Sequence, residues 1–247
     1  MSIIYNMDCL EGSKQLLADE TVDLIITDPP YNLGYGGTGQ RRVKQMGFGI
    51  FANDNLTDRE YRKFTINWIR EAYRVLKPGR HIYVCIDWRN YPLLFWMLQH
   101  VGFTVKNCIV WDKVHMGMGW QYRYRHEFII LAMKEVHKGR FRRKAPLPRR
   151  EPQKNRRIVN RSLTDVWKIP KLSGNKMIHP TEKPVELIVP MIIQSSQPGE
   201  HVVDFFVGSG PVYEAAISNG RLFTGFEISE DHYNSAIKRV KEDPYNE

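Results

Sequence analysis

Val22-Asp23-Leu24-Ile25-Ile26-Thr27-Asp28-Pro29-Pro30-Tyr31 decides the architecture of this chain. The first six residues are a short, mostly apolar run with β-branched side chains, the pattern of a strand buried on both faces of a parallel sheet. Two prolines end it, because neither can donate to a sheet ladder and each fixes φ. The sheet therefore delivers a carboxylate (Asp28), a stiff turn (Pro29, Pro30) and an aromatic ring (Tyr31) to one point. In open α/β sheets the carboxyl ends of the strands are where ligands sit. A carboxylate beside the Pro29 carbonyl can accept both N–H bonds of an exocyclic amine, drawing its nitrogen towards tetrahedral geometry. Proline has no backbone donor, so its carbonyl is the useful polar group. Tyr31 offers a flat face for an extruded base, worth about 1–3 kcal/mol. Taken alone, the tetrapeptide also reads as a plain turn that closes a strand.

Working outward, Ser2–Met7 reads as a strand, followed by Asp8 and a helix carrying Leu10, Leu16 and Leu17. With the strand at 22–27 this makes a right-handed βαβ unit, in which Asp8 ends the strand beside the catalytic one and caps the helix. Residues 32–56 hold Gly34, Gly36, Gly37, Gly39, Gly47 and Gly49 with Arg41, Arg42 and Lys44 between them. So long a glycine-rich loop next to a site reads as a mobile lid. Asp54 or Thr57 caps a helix running to Leu76, and Lys77-Pro78-Gly79 stops it. His81–Ile86 is the next strand, Tyr91–His100 a helix, and Phe103–Trp111 and His126–Met133 two strands. The link between the last two is too short for a crossover helix, so they pair antiparallel. That link interleaves aromatics with Arg123 and Arg125, a surface suited to nucleic acid. His126 and Glu127 read as structural hydrogen-bonding groups rather than as acid–base catalysts.

The charge distribution is uneven. The chain of 247 residues is net +9, and residues 134–161 hold twelve Lys/Arg against two acids. That window is net +10, so the remaining 219 residues are net −1. The excess positive charge lies in one proline-broken insertion, not in a diffusely basic surface. Lys138, Arg140, Arg142, Arg143, Arg149, Arg150, Arg156, Arg157 and Arg161 are its candidate DNA contacts, joined by Arg41, Arg42, Lys44, Arg123 and Arg125. The three cysteines (Cys9, Cys85, Cys108) are odd in number and widely spaced, which argues for a reducing compartment and against disulfides or a metal site. No apolar run reaches the roughly 18 residues of a membrane span, and no signal peptide is visible, so a cytoplasmic protein with no membrane partner is expected.

Further on, His179-Pro180-Thr181-Glu182-Lys183-Pro184 precedes a helix over Val185–Ser195. Val202–Asp204 is a central strand, and Gly208-Ser209-Gly210 turns tightly into the next helix, with Pro211 at its first position. Leu222–Glu227 is a strand ending in an acid that can accept both hydroxyls of a ribose.

Asp28-Pro29-Pro30-Tyr31, His179–Pro184 and the stretch from His201 to Gly210 together resemble the permuted beta class of S-adenosylmethionine-dependent DNA amino-methyltransferases. The resemblance covers nearly the whole chain. It implies an α/β, Rossmann-like methyltransferase fold with a mostly parallel seven-stranded sheet, one antiparallel strand in the edge region, and circularly permuted motifs. Residues 1–133 would be the catalytic part, 134–178 a target-recognition insertion and 179–247 the cofactor-binding part of the same domain. The implied substrate is duplex DNA with a flipped base, and an Asp-Pro-Pro-Tyr motif usually goes with N6-adenine, N4-cytosine being the runner-up. Methylation of RNA or a protein amide and an inactive DNA-binding relative are further alternatives. By the same resemblance Asp8, Cys9, Asp28, His179, Thr181, Lys183, Asp204, Phe206, Gly208, Ser209, Gly210 and Glu227 hold S-adenosylmethionine, with Thr181 and Lys183 at its methionine end. A homodimer and a cognate restriction endonuclease are the partners it suggests. The sequence departs from the family pattern where Phe205 stands for a proline and Pro211 for a threonine.

Overall fold

Every residue of Val22–Thr27 is buried, as a strand covered on both faces requires. In the computed structural model, which describes residues 2–32, 54–117, 119, 121–136, 163–172 and 182–242, this strand is β2. It follows β1 (Ile3–Asn6) and α1 (Cys9–Leu16). After it come α2 (Asp58–Val75), β3 (Leu76–Ile86), α3 (Tyr91–Val101), β4 (Phe103–Asp112), β5 (His126–Lys134) and β6 (Val166–Lys168). The chain closes with α4 (Val185–Ser195), β7 (His201–Asp204), α5 (Pro211–Ser218), β8 (Leu222–Glu227) and α6 (Glu230–Glu242). The strands form one sheet in the order β1-β8-β7-β2-β3-β5-β4-β6. β5 runs antiparallel to both its neighbours, and every other pair is parallel.

Alternation along the strands sends side chains to opposite layers. Ile25, Ile82 and Val203 pack with Trp68, Ile69 and Ala72 of α2 and with Leu94 and Leu98 of α3. Leu24, Ile26 and Val202 face the other way, against Leu187, Ile188 and Met191 of α4 and Val212, Tyr213 and Ala216 of α5. α2 starts with a capping box, in which the Thr57 hydroxyl accepts from the Glu60 amide (3.4 Å) and Glu60 accepts from the Thr57 amide (3.0 Å). The one charge inside β2, Asp23, is compensated by Lys77 (2.7 Å) and Arg80 (3.1 Å) and accepts from the His201 amide (3.1 Å).

Three expectations are corrected. Among the described residues the sheet has eight strands, not seven, because Val166–Lys168 pairs parallel with Val110–Asp112. Three residues emerging from a basic, proline-broken stretch carry no periodic signal of their own. β1 does not adjoin β2: β8 and β7 lie between them. β2 is buried throughout and needs an apolar partner on each side, which β7 supplies, whereas the only partly buried β1 suits an edge. Lys77-Pro78-Gly79 does not separate helix from strand, since α2 ends at Val75 and β3 begins at Leu76. The ladder absorbs Pro78 through a register shift between Val22 and Leu24, and Gly79 takes a φ of +81°. The antiparallel pairing of β4 with β5 and α4 over Val185–Ser195 are as the sequence led one to expect. Among the described residues no helix is long and apolar enough to cross a membrane. The glycine-rich loop (33–53) and most of the basic insertion (137–162), with Arg41, Arg42, Lys44 and the nine candidate contacts from Lys138 to Arg161, lie outside the described residues.

Candidate active site

The carboxyl ends of β1, β2, β3, β7 and β8, with the start of antiparallel β5 and the end of β4, open onto one cavity of about 620 Å³. Its position at one end of the sheet follows from strand direction alone. Asp28, Pro29, Pro30 and Tyr31 line it, as do Asp8, Cys9, Lys183, Asp204, Phe206, Gly208, Ser209 and Glu227. These residues come from widely separated parts of the chain. His179 and Thr181 lie outside the described residues.

At the end of β2 the turn is held from three sides. The Pro30 carbonyl accepts from the Tyr61 hydroxyl (3.1 Å), and the Tyr31 carbonyl from Asn90 Nδ2 (2.6 Å). The Pro29 carbonyl accepts from no side chain among the described residues. The Tyr31 hydroxyl donates to Asp28 Oδ1 (2.7 Å), and Lys183 Nζ donates to Asp28 Oδ2 (2.6 Å). Both oxygens are thus fixed, and each keeps a second lone-pair direction for another donor. Burial, with the carboxylates of Asp28 and Glu127, pushes the Tyr31 hydroxyl well above its ordinary pKa, so it stays a donor.

Lys183 is the centre of this cluster. Its side chain is 5% exposed and its ammonium also lies 3.3 Å from Glu127 Oε2. Burial alone would lower its pKa, yet Asp28 and Glu127 outweigh that and hold it above the usual lysine value. The ammonium sits 5.3 Å from the centre of the Tyr31 ring and 6.0 Å from that of Trp111. Glu127 in turn accepts from Lys113 Nζ (2.9 Å) and from the Tyr31 hydroxyl (3.4 Å). Against burial, Lys183 and Lys113 hold its carboxyl below the usual range. Glu127 and Lys113 were not among the sequence-derived site residues. The available signal was positional: Glu127 opens a strand antiparallel to the rest and so faces the same end of the sheet as their carboxyl ends.

The other half of the cavity has the chemistry of a nucleoside cradle. Asp8 caps α1, its Oδ1 accepting from Leu10 (2.8 Å) and Glu11 (3.3 Å) amides, so the capping reading holds. Cys9 is buried, and desolvation with Asp8 pushes its thiol far up, which leaves it a packing residue. Asp204 accepts from Thr27 Oγ1 and the Phe206 amide, both at 2.9 Å. Burial nevertheless pushes its carboxyl up to about 7. Glu227 accepts from the amides of Gly208 (2.8 Å) and Ser229 (2.9 Å), one on each oxygen. His232 Nδ1 lies 3.9 Å from Glu227 Oε1, and a carboxylate can accept further donors such as sugar hydroxyls. Gly208 (φ +55°) and Gly210 (φ +86°) give the tight turn, and a Cβ at Gly208 would meet nothing, so the cavity side of the loop is open. Pro211 starts α5 at a position needing no donor. The Phe206 ring is fixed against Phe64 and Trp68, both at 5.8 Å. Phe205 is core, packed 6.2 Å from Phe226. These residues fit a nucleoside-bearing cofactor with a cationic amino-acid tail.

On the rim, Arg123 is exposed. Arg125 is not wholly available, since it grips Asp112 through Nε (2.7 Å) and Nη2 (2.8 Å) and pulls that carboxyl down to about 2.

The N6_N4_Mtase family model, a DNA methylase, matches residues 22–238. The chain belongs to this DNA methylase family. The methylase is 33% identical to the Type II methyltransferase M.HpaI of Haemophilus parainfluenzae over 94% of this chain and 73% of that protein. It is 27% identical to the Type II methyltransferase M.HinfI of Haemophilus influenzae, over 98% and 69%. Among solved structures, the M1.HpyAVI–SAM complex superposes with a TM-score of 0.61 at 23% identity, covering 97% of this chain and all of that one. TTHA0409, a DNA modification methylase of Thermus thermophilus, gives 0.68 at 19% identity over 99% and 97%. The cytosine-N4-specific PvuII DNA methyltransferase gives 0.69 at 17% identity over 96% and 86%. At these identities the likeness is one of fold, and the methylase shares that fold with enzymes that include a cytosine-specific one.

Proposed function

We propose that this methylase transfers the methyl group of S-adenosylmethionine to the N6 amine of an adenine flipped out of duplex DNA. The observation that carries the reading is that Asp28 and Pro29 line one cavity together with Asp8, Asp204, Gly208 and Glu227. Glu227 would receive the ribose hydroxyls, while Asp8, Asp204 and the Gly208–Gly210 turn enclose the rest of the cofactor. S-adenosylmethionine supplies a methyl group already activated on a sulfonium. The chain's own contribution is orientation and lone-pair steering. Asp28 and the Pro29 carbonyl accept the two amine N–H bonds, which localises the nitrogen lone pair away from the ring. Tyr31, its hydroxyl tied to Asp28, presents its ring as the stacking face. Lys183, assigned from the sequence to the methionine end of the cofactor, lies between the two halves, with its ammonium on Asp28.

Adenine is favoured over cytosine by the aspartate that opens the Asp-Pro-Pro-Tyr motif, since the fold alone is shared with a cytosine-N4 enzyme. The relatives' Type II designation supports sequence-specific action beside a cognate endonuclease, in the cytoplasm. The basic insertion would grip the phosphates and the 32–56 loop would close over the base. Purified protein with duplex DNA and methyl-labelled S-adenosylmethionine tests the reading. Label must enter DNA with the wild type and not with Asp28→Ala, while Asp28→Ala keeps its cooperative unfolding. Equal incorporation by the variant would remove Asp28 from the reaction.

A further inference from the structure

Two donors hold the catalytic carboxylate, and the same two donors reach one other carboxylate. Lys183 Nζ is 2.6 Å from Asp28 and 3.3 Å from Glu127 Oε2. The Tyr31 hydroxyl is 2.7 Å from Asp28 and 3.4 Å from that same Glu127 oxygen. Each donor is thus strongly bonded to Asp28 and only loosely to Glu127. Lys113, 2.9 Å from the other oxygen of Glu127, completes a row of alternating charge: Asp28, Lys183, Glu127, Lys113.

We propose that Glu127 is a positioning residue, a second acceptor onto which Lys183 and the Tyr31 hydroxyl shift when the target amine donates to Asp28. The inference rests on the reading of Asp28 as the amine acceptor. A carboxylate whose two oxygens already hold a 2.6 Å ammonium contact and a 2.7 Å hydroxyl contact is a weakened acceptor for a neutral amine. Moving those donors costs little only if they have another anion within reach. Glu127 is less than 1 Å further from each than Asp28 is, and it lies on the rigid β5 strand, so the exchange needs side-chain rotation alone. Lys113 keeps Glu127 ionised and oriented while its other oxygen is offered. No bond to carbon or sulfur forms or breaks in this step; two hydrogen bonds change acceptor.

The test is steady-state methylation by Glu127→Gln, with S-adenosylmethionine binding measured by calorimetry. The amide keeps size and an acceptor oxygen but removes the charge that can receive Lys183. We expect kcat, measured well below the variant's thermal midpoint, to fall about 10- to 100-fold, the scale of one charge-assisted hydrogen bond, with cofactor affinity unchanged. In a Lys183→Met background the same substitution should cost several-fold less, because the cationic one of the two donors it serves is gone. If that background does not fold, Tyr31→Phe removes the other shared donor, and the cost of Glu127→Gln should shrink there too. Wild-type kcat in Glu127→Gln, an undiminished cost in both backgrounds, or a loss that appears as weaker cofactor binding would each overturn the proposal. Methylation retained by Asp28→Ala would instead overturn the reading on which it rests, so the two failures are distinguishable.

Discussion

Replacing Lys183 by methionine removes the cation on which the electrostatics of the site turn, while preserving much of its volume. Its ammonium is 2.6 Å from Asp28 and 3.3 Å from Glu127, on a side chain only 5% exposed. Deleting one partner of a buried ion pair costs about 3–5 kcal/mol, because a buried charge is left uncompensated. Glu127 keeps Lys113 and the Asp28 side chain is 28% exposed, which places the loss at the low end, about 3 kcal/mol. For a chain of this length that lowers the thermal midpoint by about 6–12 °C. The sign of the pH dependence follows from Glu127. Its folded-state pKa is held low by Lys183 and Lys113, so its stabilisation is present above the unfolded value and lost as pH falls through the folded one. In the variant Glu127 loses one of the two cations that hold its carboxyl low, so the part of this stabilisation that Lys183 supplies at high pH is gone. The gap between the two proteins is therefore widest near pH 8 and narrows towards pH 5. Lys183 itself stays charged across this window. Urea unfolding at pH 8 and pH 5.5 measures the gap. A loss below about 1 kcal/mol at pH 8, or one of equal size at both pH values, would refute the argument.

Other expectations follow from single contacts. Asp204, pushed up to about 7 by burial, stabilises the fold fully only below its unfolded pKa and loses that contribution as pH rises through 7. Asp204→Asn should therefore flatten the fall in thermal midpoint between pH 5 and pH 8, and a variant tracking the wild type across that range would contradict the burial argument. A Cβ at Gly225 would stand 2.3 Å from Val207 Cγ2 and 2.6 Å from the Phe223 ring. Gly225→Ala should cost about 2–3 kcal/mol in chemical denaturation, whereas wild-type stability would mean that these neighbours move freely. If about six cations of the basic insertion meet phosphates, DNA affinity should fall with salt at a log–log slope near −5, read by fluorescence anisotropy from 50 to 200 mM. A slope near −1 would remove the insertion from the interface.

Much of the architecture was legible because its signals are local. A mostly apolar run of six residues, soon stopped by Pro29 and Pro30, reads as a buried strand feeding a turn. Thr57, one of two cap candidates, marks a helix start, and a short link dictates antiparallel β4 and β5. What stayed hidden depends on partners distant in sequence. The place of β1 at the edge is decided by β7 and β8, some 200 residues away: β7 takes the ladder beside β2, and β8 pairs with β7 and β1. β6 exists because β4 offers it a free ladder, and nothing in Val166-Trp167-Lys168 announces that. The site shows the same division. Asp28, the glycine turn and Glu227 stand out as strand ends, but the role of Glu127 appears only when Lys113 and Lys183 arrive beside it from different parts of the fold. Lys183 was legible as a binding lysine, and its engagement of Asp28 was not.

The central claim is that Asp28 steers methylation of an adenine amine. Nucleoside mass spectrometry of DNA from cells expressing the wild type or Asp28→Ala tests it most directly. N6-methyladenine above background with the wild type and none with the variant is the predicted result. N4-methylcytosine in its place, or N6-methyladenine undiminished in the variant, would contradict it.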